Sequence, residues 1–246
     1  MKIVLAPSET KIIGGEDKFD ISKLSFQDLK RDEIVENYQQ IILNSSNETL
    51  SKLFGIKDIS KIDEYRTILR NQPTIKAIQR YTGVAYDYLD YPSLDKGAQK
   101  YIDDNLLIFS NLFGVLKASD LIPNYKLKQG ESIGDIKSDK FYKKDITTIL
   151  DNYLKDEDIL DLRAKYYEKF YKPTQKYTTL KFIKNGKVVS HWAKAYRGKV
   201  VRDIALNSIT SIDELINLDI KGLSIIEILN IKNQTEIIYN IIGDIK

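Results

Sequence analysis

Short apolar, β-branched runs recur along this chain, and segments with near-helical apolar spacing lie between them. This alternation constrains the fold more than any other feature, because it points to strands and helices interleaved around one sheet. MKIVLA is a first strand over residues 2–6, stopped by Pro7. NLLIF at 105–109 and DILDL at 158–162 are continuous apolar runs of the kind that form buried strands. YTTLKFI and KVVSHWA flank Asn185-Gly186, a dipeptide suited to tight hairpin turns, so 177–183 is expected to pair with 187–193. LSIIEIL and TEIIYNII supply two further strands near the end.

Between these runs the period changes. Phe26, Leu29, Ile34, Tyr38, Ile41 and Ile42 mark a helix, and Ile62, Tyr65, Ile68 and Leu69 repeat the pattern. Pro73 suits the first turn of a helix over TIKAIQRY, which Gly83 ends. DKGAQKYIDDN, SDKFYKKDITTILDNYL with Ser138 as N-cap, a segment over 193–207 and SIDELINL complete the helical set. Nothing resembling a Ser/Gly-rich linker, a repeat or a low-complexity stretch interrupts the series. The expectation is one α/β domain over residues 1–246, a mixed sheet surrounded by helices. The end hairpin argues against a purely parallel arrangement.

Composition removes several chemistries. The chain has no cysteine, which excludes disulfides, thiolate metal sites and a cysteine nucleophile. Its single histidine, His191, cannot build a two-histidine iron site or an ordinary catalytic zinc site within one chain, and it reads as structural. No metal site and no cofactor are expected. No apolar run approaches a membrane span and the N-terminus lacks a signal peptide, so a cytoplasmic protein without membrane partners is expected.

Net charge is +3, but its distribution is uneven. From Lys169 to Arg202 there are ten Lys or Arg residues and no Asp or Glu, whereas the flanking segments carry −3 and −4. A basic block of this length points to a polyanion or an anionic ligand.

Four stretches carry candidate chemistry. PSETK, 7–11, follows the first strand, where α/β folds gather ligands; Ser8 and Lys11 offer a hydroxyl and an ammonium to an anion. The same pair matches S-x-x-K, yet no S-D-N or K-T-G element follows, so serine acyl transfer is disfavoured. YTGVAYDYL, 81–89, brings Gly83 and Tyr86 among other tyrosines suited to packing or stacking. AKAYRGKVVR, 193–202, places Lys194 and Arg197 on one helical face, and Lys199 with Arg202 on another. Gly198 in that helix suggests close approach of a backbone or ligand. SNLFGVLKASDLIPNYKLKQG, 110–130, sets Gly114, Lys117, Lys126 and Lys128 in a loop-like run. Neither a dinucleotide fingerprint nor a P-loop is present.

These four stretches, in this order and spacing, resemble the YaaA family of peroxide-stress proteins from Met1 to nearly the last residue. The resemblance implies an α/β domain with a positively charged cleft, protection against hydrogen peroxide by lowering free intracellular iron, and DNA binding. It also implies a helix-hairpin-helix-like element, mapped here onto LFGVLKASDLI, with Gly114 and Lys117 facing phosphate. The chain departs from the family pattern at Ala118, at Ala195-Tyr196 after Lys194, and in LSIIEILN.

Two readings follow. The first is duplex DNA held without sequence preference by Lys117, Lys126, Lys128, Lys194, Arg197, Lys199 and Arg202. The alternative is an enzyme acting on a phosphorylated or other anionic small molecule. Its pocket would be formed by Ser8, Lys11, Gly83, Tyr86, Gly114, Lys194 and Arg197.

Overall fold

The computed structural model describes residues 1–189 and 191–243, and of His191 the backbone only. In chain order its elements begin with β1 (Lys2–Leu5), α1 (Arg31–Asn44) and α2 (Asn47–Phe54). A short strand and two short helices follow: β2 (Thr74–Lys76), α3 (Ala77–Arg80) and α4 (Val84–Leu89). Next come α5 (Lys96–Asn105), β3 (Leu106–Ser110), β4 (Gly114–Lys117), β5 (Leu121–Pro123) and α6 (Ser138–Tyr153). The remainder is β6 (Ile159–Leu162), β7 (Tyr177–Lys184), β8 (Lys187–Val188), α7 (His191–Leu206), α8 (Ile212–Asn217), β9 (Leu223–Ile231) and β10 (Gln234–Ile241).

The central sheet runs β4-β3-β1-β6-β7-β10-β9, with β8 attached to β7. Strands β3, β1, β6, β7 and β10 are mutually parallel, while β4 and β9 close the two edges antiparallel. The sheet is therefore mixed, as the alternation of runs requires. The first-formed strand β1 lies between β3 and β6, so the chain leaves it on one side and returns on the other. The crevice beyond the carboxyl ends of β1 and β6 is a topological switch point, where open α/β sheets bind ligands.

Burial follows the pleat. Every residue of β3 and of β6 is buried, the signature of strands covered on both faces. On β7 the even-numbered Thr178, Leu180 and Phe182 turn toward α7, where Phe182 stacks on Tyr196 with ring centroids 5.6 Å apart. Buried side chains from Met1 to Ile241 form one contiguous core.

Several local expectations change. Between Ile59 and Asn71 the chain forms only separate single 3₁₀ turns, and Thr74–Lys76 pairs with β5 instead of opening a helix. Gly83 precedes α4 rather than ending a helix. The residue before α6 is Lys137, and the Ser138 hydroxyl is buried without a partner, so it caps nothing. The strand expected over 187–193 stops at Val188, and α7 begins at His191. The structural role assigned to the His191 side chain lies outside the described residues. Most consequentially, LFGVLKASDLI is no helix-hairpin-helix. Its core is the β3–β4 hairpin, with Ser110 opposite Gly114 and Leu107 opposite Lys117. The β-branched and leucine-rich runs on both sides of the turn satisfy sheet pairing, which outcompetes helix here.

Candidate functional site

Pro7 ends β1 and turns the chain into a loop that is laced to the segment before α4. Thr10 donates its backbone N–H to Ser8 Oγ at 3.2 Å, and its hydroxyl donates to the Thr82 carbonyl. Thr82 N–H returns to the Thr10 carbonyl, Lys11 bridges Tyr81, and Ile12 N–H reaches the Arg80 carbonyl. Arg80, fully buried, anchors this seam by donating to the carbonyls of Ile12, Gly14, Pro73 and Ile122. Removal from water draws its guanidinium down to about 10.

The laced loops wall a cavity of about 420 Å³ over the switch point, within the size range of small-ligand sites. Leu5, Ala6, Pro7 and Ser8 enter from β1, and Leu162 and Ala164 from β6. Gly83, Val84, Ala85 and Tyr86 come from the start of α4, and Lys194 and Arg197 from α7. Tyr86 is fixed by donating to the Ala6 carbonyl at 2.9 Å, and burial pushes its phenol well above the ordinary value. Gly83 has φ +102°, and a Cβ there would stand 3.2 Å from Ser8 Oγ. That position accepts a side chain only with strain in the backbone.

Two helices meet at this wall. Gly198 of α7 faces Ala85 of α4 so closely that an added methyl would run into the Ala85 carbonyl. The glycine read in sequence as permitting close approach therefore admits a backbone. Arg197, one residue earlier, has a buried Nε with no hydrogen-bond partner. Its pKa is lowered by burial, with Asp161 and Glu168 opposing that shift from nearby. Arg197 itself lines the cavity, and a guanidinium there is a candidate donor to an anion.

Of the expected pocket residues, Ser8, Gly83, Tyr86, Lys194 and Arg197 thus line one cavity. Lys11 lies behind that wall. Its ammonium donates to the Ser8 carbonyl at 3.3 Å and sits 4.0 Å from the Tyr125 ring centroid and 5.2 Å from that of Tyr81. Burial, then the charge of Lys126, draws its pKa down to about 7. Gly114 is removed from the site: it is buried, and a Cβ would meet Tyr142 and Leu29.

The expected DNA-contact cations are dispersed. Lys117 ends β4 opposite Leu107, at the amino end of β3, whereas the cavity lies beyond the carboxyl ends of β1 and β6; its ammonium sits over the Tyr153 ring. Lys199 pairs with Asp203 at 3.0 Å. Arg202 donates to the carbonyls of Leu89 and Asp90 and lies 3.8 Å from the Asp90 carboxylate. Lys181, from the same basic run, is 3.4 Å from Glu236. Acids distant in sequence neutralise what looks acid-free along the chain. Lys126 stays near the cavity mouth, where it donates to the carbonyl of Glu9, a lining residue, whereas the Lys128 side chain lies against Gly55 and pairs with Glu131 at 3.5 Å.

Sequence reasoning missed Asp161 and Arg163 at the end of β6. Both are buried, and Arg163 grips Asp161 through Nε at 2.9 Å and Nη2 at 2.6 Å. The signal was present in DLR, two opposite charges ending an apolar strand at a position where ligands gather.

A family profile described as peroxide stress protein YaaA matches residues 1–228. The chain belongs to this family. An uncharacterized protein of Campylobacter jejuni is 45% identical over 233 residues, covering 92% of this chain and 95% of that one. A UPF0246 protein of Corynebacterium glutamicum is 35% identical over 84% of this chain and 86% of its own. Another UPF0246 protein, from Fusobacterium nucleatum, is 29% identical over 92% and 93%. The family's name is consistent with a role in the response to peroxide stress. Among the described residues no helix is long and apolar enough to cross a membrane.

Proposed function

We propose that this protein serves the peroxide response by binding an anionic small molecule in the cavity beyond β1 and β6, with Ser8, Lys194 and Arg197 as its polar contacts. The observation that carries this reading is Arg197 among the residues lining a cavity at the switch point, with its buried Nε without a hydrogen-bond partner. Lys194 supplies a second charge, and the Ser8 hydroxyl faces the same space. Among the described residues no three His, Asp or Glu gather to hold a metal. The iron-limiting role implied by the family resemblance is proposed to act through this ligand.

Thermal-shift measurement with phosphate monoesters tests the reading, since a ligand of the native state alone raises the melting temperature. A shift present in the wild type and abolished by Arg197→Ala supports it. A shift unchanged in Arg197→Ala contradicts it.

DNA is the second reading, favoured by the position of Lys126 and Lys194 at the cavity mouth beside Arg197. It is proposed as contact by a few phosphates at that mouth, without base recognition.

A further inference from the structure

A second cavity, of about 300 Å³, adjoins the first. The pleat of β6 and its extension separates the two. Leu162 and Ala164 face the first cavity, whereas Asp161, Arg163 and Lys165 face the second. The floor of the second is formed by Tyr177, Thr179 and Leu180 of β7 with Gln234 and Glu236 of β10. There Tyr177 lies opposite Gln234, and Thr179 opposite Glu236. The Tyr177 hydroxyl donates to Gln234 Oε1 at 3.2 Å, and Gln234 Nε2 donates to Thr179 Oγ1 at 2.9 Å. Arg197 alone among the described residues lines both cavities. Arg197 is therefore placed at the junction of two chambers, its buried Nε without a hydrogen-bond partner.

Resting on the small-ligand reading above, we infer that the ligand is a phosphodiester. Its phosphate meets Arg197, one substituent fills the first cavity, and a hydroxyl-bearing substituent lies on the floor of the second. An anion at a junction between chambers carries organic groups on both sides, which a monoester does not. The first chamber is walled by Leu5, Ala6, Val84 and Leu162 with Tyr86 and Tyr167, surfaces for a flat ring. The second floor offers a hydroxyl, an amide and the carboxylates of Asp161 and Glu236, acceptors for sugar hydroxyls.

Calorimetric titration of the whole chain tests this with inorganic phosphate, AMP and the dinucleoside monophosphates ApA and UpU. At least one dinucleotide is expected to bind about tenfold or more tightly than AMP, the increment of one well-made set of polar contacts. The double variant Thr179→Val with Gln234→Ala should remove that advantage and leave AMP affinity within about twofold, because AMP occupies the first chamber only. Gln234→Glu replaces the double variant if that chain melts at lower temperature than the wild type. Arg197→Ala should weaken AMP and dinucleotide alike. Dinucleotides no tighter than AMP, or an advantage that survives in the second-chamber variants, would overturn the inference while leaving the small-ligand reading intact. Failure of all four probes to bind would count against both.

Discussion

Replacing Gly198 by Ala sets two physical effects against each other. Within a helix the change should stabilise by about 1 kcal/mol, because alanine loses less backbone entropy. At this position the new Cβ would also stand 2.8 Å from the Ala85 carbonyl carbon and 3.1 Å from its Cα. Carbon atoms rest at about 3.5–4.0 Å, so α4 and α7 must separate by roughly 1 Å. The obstacle is backbone, which cannot swing aside as a side chain can. Overpacking typically costs about 1–3 kcal/mol, and a backbone clash belongs at or beyond the upper end. The net expectation is destabilisation by about 2 kcal/mol, which for a chain of this size lowers the melting temperature by roughly 4–8 °C. Urea denaturation followed by circular dichroism gives the stability, and the thermal shift with phosphate monoesters reports the cavity. Both should fall, because α4 and α7 meet at the wall of the site and both contribute lining residues. A Gly198→Ala chain as stable as the wild type, or more so, would refute the close helix crossing.

The remaining predictions concern charge. Lys11 titrates near 7 when folded and at its ordinary 10.5 when unfolded, so the unfolded chain holds the extra proton between those values and stability rises with pH there. Between pH 7 and 9 the wild type should gain about 2 kcal/mol relative to Lys11→Met, read from paired urea titrations; parallel pH profiles would show the amine to be solvated. Asp161→Ala leaves Arg163 charged and buried, and should cost about 3–5 kcal/mol in the same assay; a loss below about 1 kcal/mol would mean the pair is dispensable. For duplex DNA, cations confined to the cavity mouth predict a slope of log affinity against log salt of about −2 to −4, unaltered by Lys199→Ala. A slope near −8 in fluorescence anisotropy would instead show the whole basic run in contact.

How far the molecule was legible in sequence depended on whether the deciding interaction was local. β1, β3, β6 and the β7–β8 turn were readable because apolar runs, Pro7 and Asn185-Gly186 carry their own signals. Gly198 was readable as a point of close approach, although only the fold supplies Ala85 as the neighbour. LFGVLKASDLI was misassigned because its strands form by pairing, which no single stretch announces. The ion pairs of the basic run were hidden for the same reason. Asp90 and Glu236 are far from Arg202 and Lys181 along the chain and beside them in space. Asp161 and Arg163 stood in plain view, but their weight comes from β6 lying at the switch point, which strand order alone determines.

The most direct test of the central claim follows the Arg197 Nε–H itself. With seven arginines in the chain, a proton–nitrogen correlation spectrum restricted to arginine side chains is sparse, and loss of one cross-peak in Arg197→Lys assigns it. On titration with AMP, the Arg197 Nε proton should move downfield as it gains an anionic acceptor, while the signals of Arg31 and Arg80, already bonded to carbonyls, stay in place. A saturating shift confined to Arg197 is the predicted result. An unmoved Arg197 signal under conditions where AMP raises the melting temperature would contradict the account.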